Sequence, residues 1–336
     1  MLKLDSVSIK ITDRKEKEES IKMTKYDFTT IPNRLALILV EGVVPGIGLA
    51  IQALTKENDA VLINTPVYPP FARTVKLNNR KLVENALLEK NGEFLIDFKT
   101  FEKDIVENSV KLYILCNPHN PGGRVWTKEE LLKIGQICQK HNVLLVSDEI
   151  HQDLTLFGHE HHTFNKIAPD FKEFSVLLSS ATKSFNIAGV KCAYAIIENK
   201  NLREKYLQRR LMNNQQEISS LGMLATQVAN NKGAQWLSEL KEVLEKNITY
   251  VESELHQKTK IKVMKPQGTY LVWLDFSDYK LNDKELDKKL SEEVEVILNK
   301  GASFGQAGQA HARLNAAAPF SLIEEATKRL VETFAI

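Results

Sequence analysis

Short apolar runs of strand length, each ending abruptly in a polar or glycine- and proline-rich loop, constrain this chain most. They occupy residues 35–40, 60–63, 110–116, 143–146, 175–178 and 192–197. A continuous apolar run of this length suits a strand covered on both faces. Helical patterns lie between them. Residues 49–54 form one, and the segment after Thr127 forms another, with Leu131, Ile134 and Cys138 on one face and Thr127 with Glu130 spaced as a capping box. Strands alternating with helices predict an α/β fold with a mostly parallel central sheet and helices on both faces. In such sheets ligands bind beyond the carboxyl ends of the strands. The loops at Gly42, Tyr68, Asn120, Asp148 and Lys183 all follow strands directly, so they are expected to converge on one site.

The 336 residues suffice for two domains. Residues 1–34 read as a leader and N-terminal remnant: 1–22 are polar and charged, and Met23 opens the better-defined Tyr26-Asp27-Phe28. Residues 35–215 read as a large domain, and 216–336 as linker helices and a small C-terminal α/β domain. Within the latter, strands are expected at 261–264, 269–274 and 312–315. Helices are expected at 282–299, capped by Asn282 with Glu285, and at 321–334, capped by Ser321 with Glu324. A net charge of +2 without a long basic block points to neither nucleic acid nor an acidic membrane as partner. No apolar run has membrane-spanning length, and the charged N-terminus lacks the apolar centre of a secretion signal. Cys116, Cys138 and Cys192 are scattered in apolar surroundings, which predicts reduced, buried thiols, a cytoplasmic protein and no metal site.

Each loop carries a chemical possibility beside a plainer one. Lys183 sits among small hydroxyl residues in 179–189; an amine there suits a Schiff base with a carbonyl cofactor, although a lone lysine is more often a solvated surface residue. The 41–48 segment joins strand to helix through Gly42, Pro45 and Gly46. That is either an anion site or an ordinary turn. Tyr68, in the proline-rich 64–71 turn, suits stacking on a flat ring or simple packing. Acidic residues closing a buried strand, as at Asp148 and Glu149, are unusual unless solvent or a ligand meets them.

Taken in order, Gly42-Val43-Val44-Pro45-Gly46, Thr65-Pro66-Val67-Tyr68, Asn117-Pro118-His119-Asn120-Pro121, Ser147-Asp148-Glu149-Ile150-His151, Ser180-Ala181-Thr182-Lys183-Ser184-Phe185-Asn186, Gly305 and Ala312-Arg313-Leu314-Asn315 resemble the fold-type I, pyridoxal-phosphate (PLP) aminotransferase superfamily. The Asp-Glu-Ile-His and Lys-Ser-Phe-Asn-Ile-Ala-Gly forms are similar to its cystathionine β-lyase/cysteine-S-conjugate β-lyase branch. The resemblance implies a PLP-dependent transferase-like fold and a homodimer. It implies that Lys183 carries PLP as a Schiff base and then takes the substrate α-proton. Asp148 would pair with the ring nitrogen, Asn120 with the ring's phenolic oxygen, and Tyr68 would stack on the ring and assist proton transfer. His151 stands where many relatives have tyrosine; filling space at a strand end is its plainer role. The backbone at Val43 and Val44, with Ser180, would bind the phosphate. Arg313 would hold the α-carboxylate of an amino-acid substrate through a bidentate pair. The implied reaction is α,β-elimination of thiol from cystathionine or another cysteine S-conjugate, giving pyruvate and ammonia.

The sequence departs from the family's pattern in several places. Relatives carry several dozen residues between a Lys-Tyr-Asp-Phe-like start and the Gly-Val-Val loop; here Tyr26-Asp27-Phe28 runs almost straight into Leu35. Lys191 stands where many members place a phosphate-binding arginine, so charge is kept and the planar fork is lost. Phe320 follows Pro319 where relatives often have arginine, and Gly122 replaces a threonine or valine. Three activities fit this pattern: a β-lyase, an aminotransferase on the same scaffold, and a truncated, non-catalytic PLP-binding or regulatory protein.

Overall fold

The computed structural model describes residues 36–336. The leader, Met23, the Tyr26-Asp27-Phe28 segment and Leu35 lie outside the described residues. The strands are β1 (Leu37–Val40), β2 (Ala60–Thr65), β3 (Lys81–Ala86), β4 (Leu88–Lys90), β5 (Glu93–Leu95), β6 (Leu112–Cys116), β7 (Leu144–Asp148), β8 (Ser175–Ser179), β9 (Ala193–Ile196), β10 (Lys262–Met264), β11 (Leu271–Asp275), β12 (Asn299–Lys300) and β13 (His311–Asn315).

Seven of them form one sheet in the order β1-β9-β8-β7-β6-β2-β3. Its centre is parallel from β8 through β3. At one edge β9 runs antiparallel to β8, because the 180–192 connection brings the chain straight back, and β1 is antiparallel to β9. All residues of β2, β6 and β8 are buried, as their unbroken apolar runs require. One face is covered by the Val43–Leu54 helix, whose Ile47 and Ile51 pack with Leu178 and Tyr206. The other is covered by the Phe98–Glu107 and Lys128–Lys140 helices through Phe101, Leu131 and Ile134. The capping box before the latter forms as read: Glu130 N–H donates to Thr127 Oγ1 at 3.2 Å, and Thr127 N–H to Glu130 Oε2 at 2.8 Å.

A second sheet, β10-β11-β13-β12, is antiparallel throughout. Its core includes Val272, Leu274 and Leu314, closed by Leu244, Ile248 and Val251 of the Ala234–Lys258 helix and by Leu330 of the Phe320–Phe334 helix.

Two helix expectations are corrected. The segment read as a helix over 282–299 is α-helical only over Asp283–Lys288. It widens to a π turn at Lys289–Glu293 and ends. Leu286, Leu290 and Val294 all stay buried against the second core, and Glu295 then takes a positive φ of 56°, so the chain turns off and Asn299 becomes part of a strand. The last helix starts at Phe320 without a side-chain cap; Pro319 fixes the turn into it, and Ser321 is an exposed helical residue rather than the cap.

The link between the two sheets that positions the site runs through Gly123. Its φ is +65°, and an added Cβ would lie 2.3 Å from Pro266 Cβ. Its carbonyl accepts the N–H groups of Gln267 and Gly268, both at 2.9 Å, so only glycine lets the Asn120 loop and the turn before β11 approach this closely.

Candidate active site

The carboxyl ends of β6, β7 and β8 form a floor, and β13 of the second sheet contributes to it from outside. Asp148 is the last residue of β7 and is buried. Its Oδ1 accepts the Ile150 N–H at 3.1 Å. Burial pushes its carboxyl up to about 7, with Glu149 adding to the rise; the Ile150 N–H and the Lys183 amine oppose it. Glu149 faces away into a closed set of partners. It accepts Ser147 Oγ at 2.9 Å and Phe164 N–H at 2.9 Å, and His161 Nε2 lies 2.8 Å from it. Its carbonyl accepts Ser179 Oγ at 3.0 Å, tying the ends of β7 and β8 together.

Lys183 lies in the short Ala181–Ser184 helix directly after β8. Partial burial, then the Arg313 charge, lowers its amine below the usual lysine range, against the pull of Asp148. A lowered amine spends more time unprotonated and is therefore a better nucleophile and base. Ser180 caps this helix, accepting the Thr182 N–H at 3.1 Å, and its hydroxyl donates to the Cys192 carbonyl at 2.6 Å. Ser184 Oγ donates to Asp153 Oδ2 at 2.8 Å.

Asn120 is buried in a loop whose prolyl bonds at 117–118 and 120–121 are both cis. The loop is pinned by Asn117 N–H to the Asp148 carbonyl at 2.9 Å, and by Asn120 N–H to Cys116 Sγ at 3.4 Å. Asn120 Oδ1 accepts Arg313 Nη1–H at 2.8 Å across 193 residues of chain. Arg313 also donates from Nη2 to Asn299 Oδ1 at 2.6 Å, lays its guanidinium 4.9 Å over the Phe304 ring, and leaves Nε buried without a partner.

His151 is buried, with Nδ1 unpartnered and its ring edge-on to Tyr270 at 5.6 Å. Burial, with the Lys183 and Arg313 charges, pushes it down to about 3, so it is neutral. Tyr68 is half-buried, and its backbone N–H donates to the Asn120 carbonyl at 3.1 Å. Burial and then Asp148 raise its hydroxyl, while Arg313 and Arg73 act the other way. Val43 and Val44 open a helix that has no side-chain cap and no acidic residue in its first turn. Val43 belongs to the same apolar cluster on which Tyr68 and Ile150 pack.

Asp148, Lys183, Arg313, Tyr68, His151 and Asn120 are thus brought together, each coupled to another by a hydrogen bond or by its charge. Lys191 is not brought into this set: it is exposed, at φ 49°, on the connection to β9. Sequence reasoning missed Tyr270, whose hydroxyl environment includes Arg313 and Tyr68, and Asn299, the partner of Arg313. Tyr270 had a signal, its place after the Gln267-Gly268 turn; Asn299 had none.

Residues 19–331 match the family described as aminotransferase class I and II. The chain belongs to this family. Among curated proteins it is similar to cystathionine beta-lyase PatB of Bacillus subtilis, 41% identical over 290 residues that cover 86% of this chain and 75% of the relative. Among solved structures it is similar to cystalysin of Treponema denticola, which contains PLP, with a TM-score of 0.87 and 36% identity over 89% of this chain and 76% of that one. It is also similar to the PLP-bound C-S lyase of Staphylococcus hominis, with a TM-score of 0.85 and 30% identity over 90% of this chain and 77% of that one. Among the described residues of this aminotransferase-family chain, no helix is long and apolar enough to cross a membrane.

Proposed function

We propose that this chain is a PLP-dependent carbon–sulfur β-lyase that releases a thiol from cystathionine or another cysteine S-conjugate and yields pyruvate and ammonia. The observation that carries the reading is the placing of the lowered Lys183 amine beside Asp148 and Arg313, in a chain similar to relatives named as C–S lyases. The residues fit PLP. His151 Nδ1 and Arg313 Nε are buried and unpartnered, the helix at Val43 is uncapped, and Asp148 is a buried carboxyl whose ionisation awaits a cation.

In this reading Lys183 holds the aldehyde end of PLP, Asp148 the ring nitrogen, Asn120 the phenolic oxygen, and the Val43 and Val44 N–H groups the phosphate. Ser180, which caps the Lys183 helix, and Lys191, through its charge, are proposed to add to that phosphate site, Lys191 from an exposed position on the connection to β9. When bound, PLP supplies an electron sink for the carbanion at the substrate α-carbon. Arg313 fixes the substrate by its α-carboxylate. Lys183 removes the α-proton as a free amine, and Tyr68, held by its backbone to Asn120, is within the charge environment that proton transfer uses. The C–S bond breaks, the thiolate leaves and takes up a proton, and water hydrolyses the released three-carbon remainder to pyruvate and ammonia. The neutral His151 and Tyr270 wall one side of the site with rings and add no charge.

The test is to add cystathionine to the PLP-loaded protein. Pyruvate, ammonia and free thiol are expected in equal amounts. A new amino acid formed only with an added 2-oxo acid would favour the aminotransferase. Spectral change without either product would leave only a cofactor-binding role.

We further propose that the protein acts as a homodimer in the cytoplasm. Leu221, Leu224 and Val228, at helical spacing on the Ser220–Lys232 helix, are 75, 56 and 48% exposed, and a second copy would cover them. The three cysteines are free and buried, which suits a reducing compartment. Light scattering is expected to give twice the chain mass, and Leu224→Asp to shift it towards one chain mass; an unchanged mass in that variant excludes this helix as the contact.

A further inference from the structure

We propose that Asn299 is a positioning residue that aims the Arg313 guanidinium at the substrate α-carboxylate, an inference that rests on the carboxylate role given to Arg313. In the β12–β13 ladder Asn299 lies directly opposite Arg313. Residues opposite one another in an antiparallel pair project to the same face, so the pairing is imposed by register. The two amide oxygens take different ends of the guanidinium: Asn120 accepts from Nη1 at 2.8 Å and Asn299 from Nη2 at 2.6 Å. The Phe304 ring supports its flat face at 4.9 Å. Three supports hold a planar group in one orientation, and Nε, buried and without a partner, is left for an incoming acceptor. The chemical identity of the support decides the outcome. The Asn299 amide oxygen accepts a hydrogen bond from Arg313 and carries no charge. A carboxylate at 299 would pair with Arg313 and compete with the substrate for it. The second support is local to β12, whereas Asn120 is shared with the Tyr68 loop, so orientation of Arg313 can be altered at Asn299 without disturbing the floor of the site. Asn299 is exposed on a two-residue strand, so its replacement leaves the fold intact.

The experiment measures KM and kcat for cystathionine in the PLP-loaded protein, and the dissociation constants of L-alanine and L-alaninamide from changes in the cofactor's absorbance. The amide lacks the carboxylate and reports everything else. Asn299→Ala is expected to raise KM and weaken L-alanine about tenfold, kcat changing much less, with L-alaninamide unaffected. Asn299→Asp is expected to do more than Asn299→Ala, by roughly another tenfold. Arg313→Lys is the reference and should remove most of the preference for acid over amide. If both Asn299 variants keep the native preference while Arg313→Lys loses it, Asn299 has no positioning role. If Arg313→Lys keeps the preference as well, the carboxylate is bound elsewhere and the Arg313 reading falls with it.

Discussion

Lys183→Ala is expected to slow thiol release by roughly 10³-fold or more and to abolish the visible absorbance change on adding PLP. The amine is set apart from an ordinary surface lysine by its surroundings: partial burial and the Arg313 charge lower it, and Asp148 lies near enough to oppose them. The short helix that carries it is held by Ser180, which caps it, and by Ser184, which donates to Asp153. The side chain is therefore spent on chemistry more than on folding, and the alanine variant should unfold at nearly the native denaturant midpoint. Lys183→Arg separates charge from nucleophilicity, because a guanidinium stays protonated and cannot attack a carbonyl. It is expected to be as inactive as the alanine variant. A Lys183→Arg protein that still released thiol would sink the assignment, whereas a small primary amine restoring part of the rate to Lys183→Ala would support it.

What could be read from the sequence followed from burial. The runs at β2, β6, β7 and β8 are apolar because sheet and helices cover both their faces, and the loops after them announced themselves by breaking that pattern. Asp148 and Lys183 were legible as charges where a buried strand ends. The edge of the same sheet was not. β3 carries Lys81, Glu84 and Asn85 beside a single buried valine at 83, and the β4–β5 hairpin is as polar, so neither shows the pattern of a strand. Asn299 was hidden for a different reason. The capping box at Asn282 and Glu285 is real, but the positive φ at Glu295 stops the helical pattern before it reaches 299. The contact between Asn120 and Arg313 spans the two sheets and has no local signal at all; only the resemblance to a family linked those positions. Ser180 was legible as part of the motif, whereas the bond from its hydroxyl to the Cys192 carbonyl of its own loop was not.

Asp148→Asn is expected to set stability against activity. In the cofactor-free protein the Asp148 carboxyl is held up to about 7, against an ordinary value of 3.8, chiefly by burial and secondly by Glu149. A folded-state value above the unfolded one means the native state retains a proton that the unfolded chain releases between these two values. The contribution of this one group to stability therefore falls as pH rises through that interval and is at its lowest above about 7. Asparagine keeps the shape and never ionises. Relative to the native chain, the cofactor-free variant should gain on the order of a few kcal/mol at pH 8 and almost nothing near pH 4. Urea midpoints across this range measure the difference. Adding PLP should reverse the order: a cation at the ring nitrogen pairs with the Asp148 carboxylate and draws its value down, and asparagine offers no charge for that pairing. The variant should then bind PLP more weakly and release thiol roughly 10²-fold more slowly or worse, because the ring nitrogen is no longer held protonated. A cofactor-free variant whose midpoint tracks the native one at every pH would mean that Asp148 is not a buried group that keeps its proton in the folded chain. A carboxyl that destabilises the empty protein and stabilises the loaded one makes cofactor binding itself the step that relieves the strain of burying it. Glu149, fully enclosed beside it, adds to the rise of the Asp148 carboxyl that the bound cofactor would have to offset.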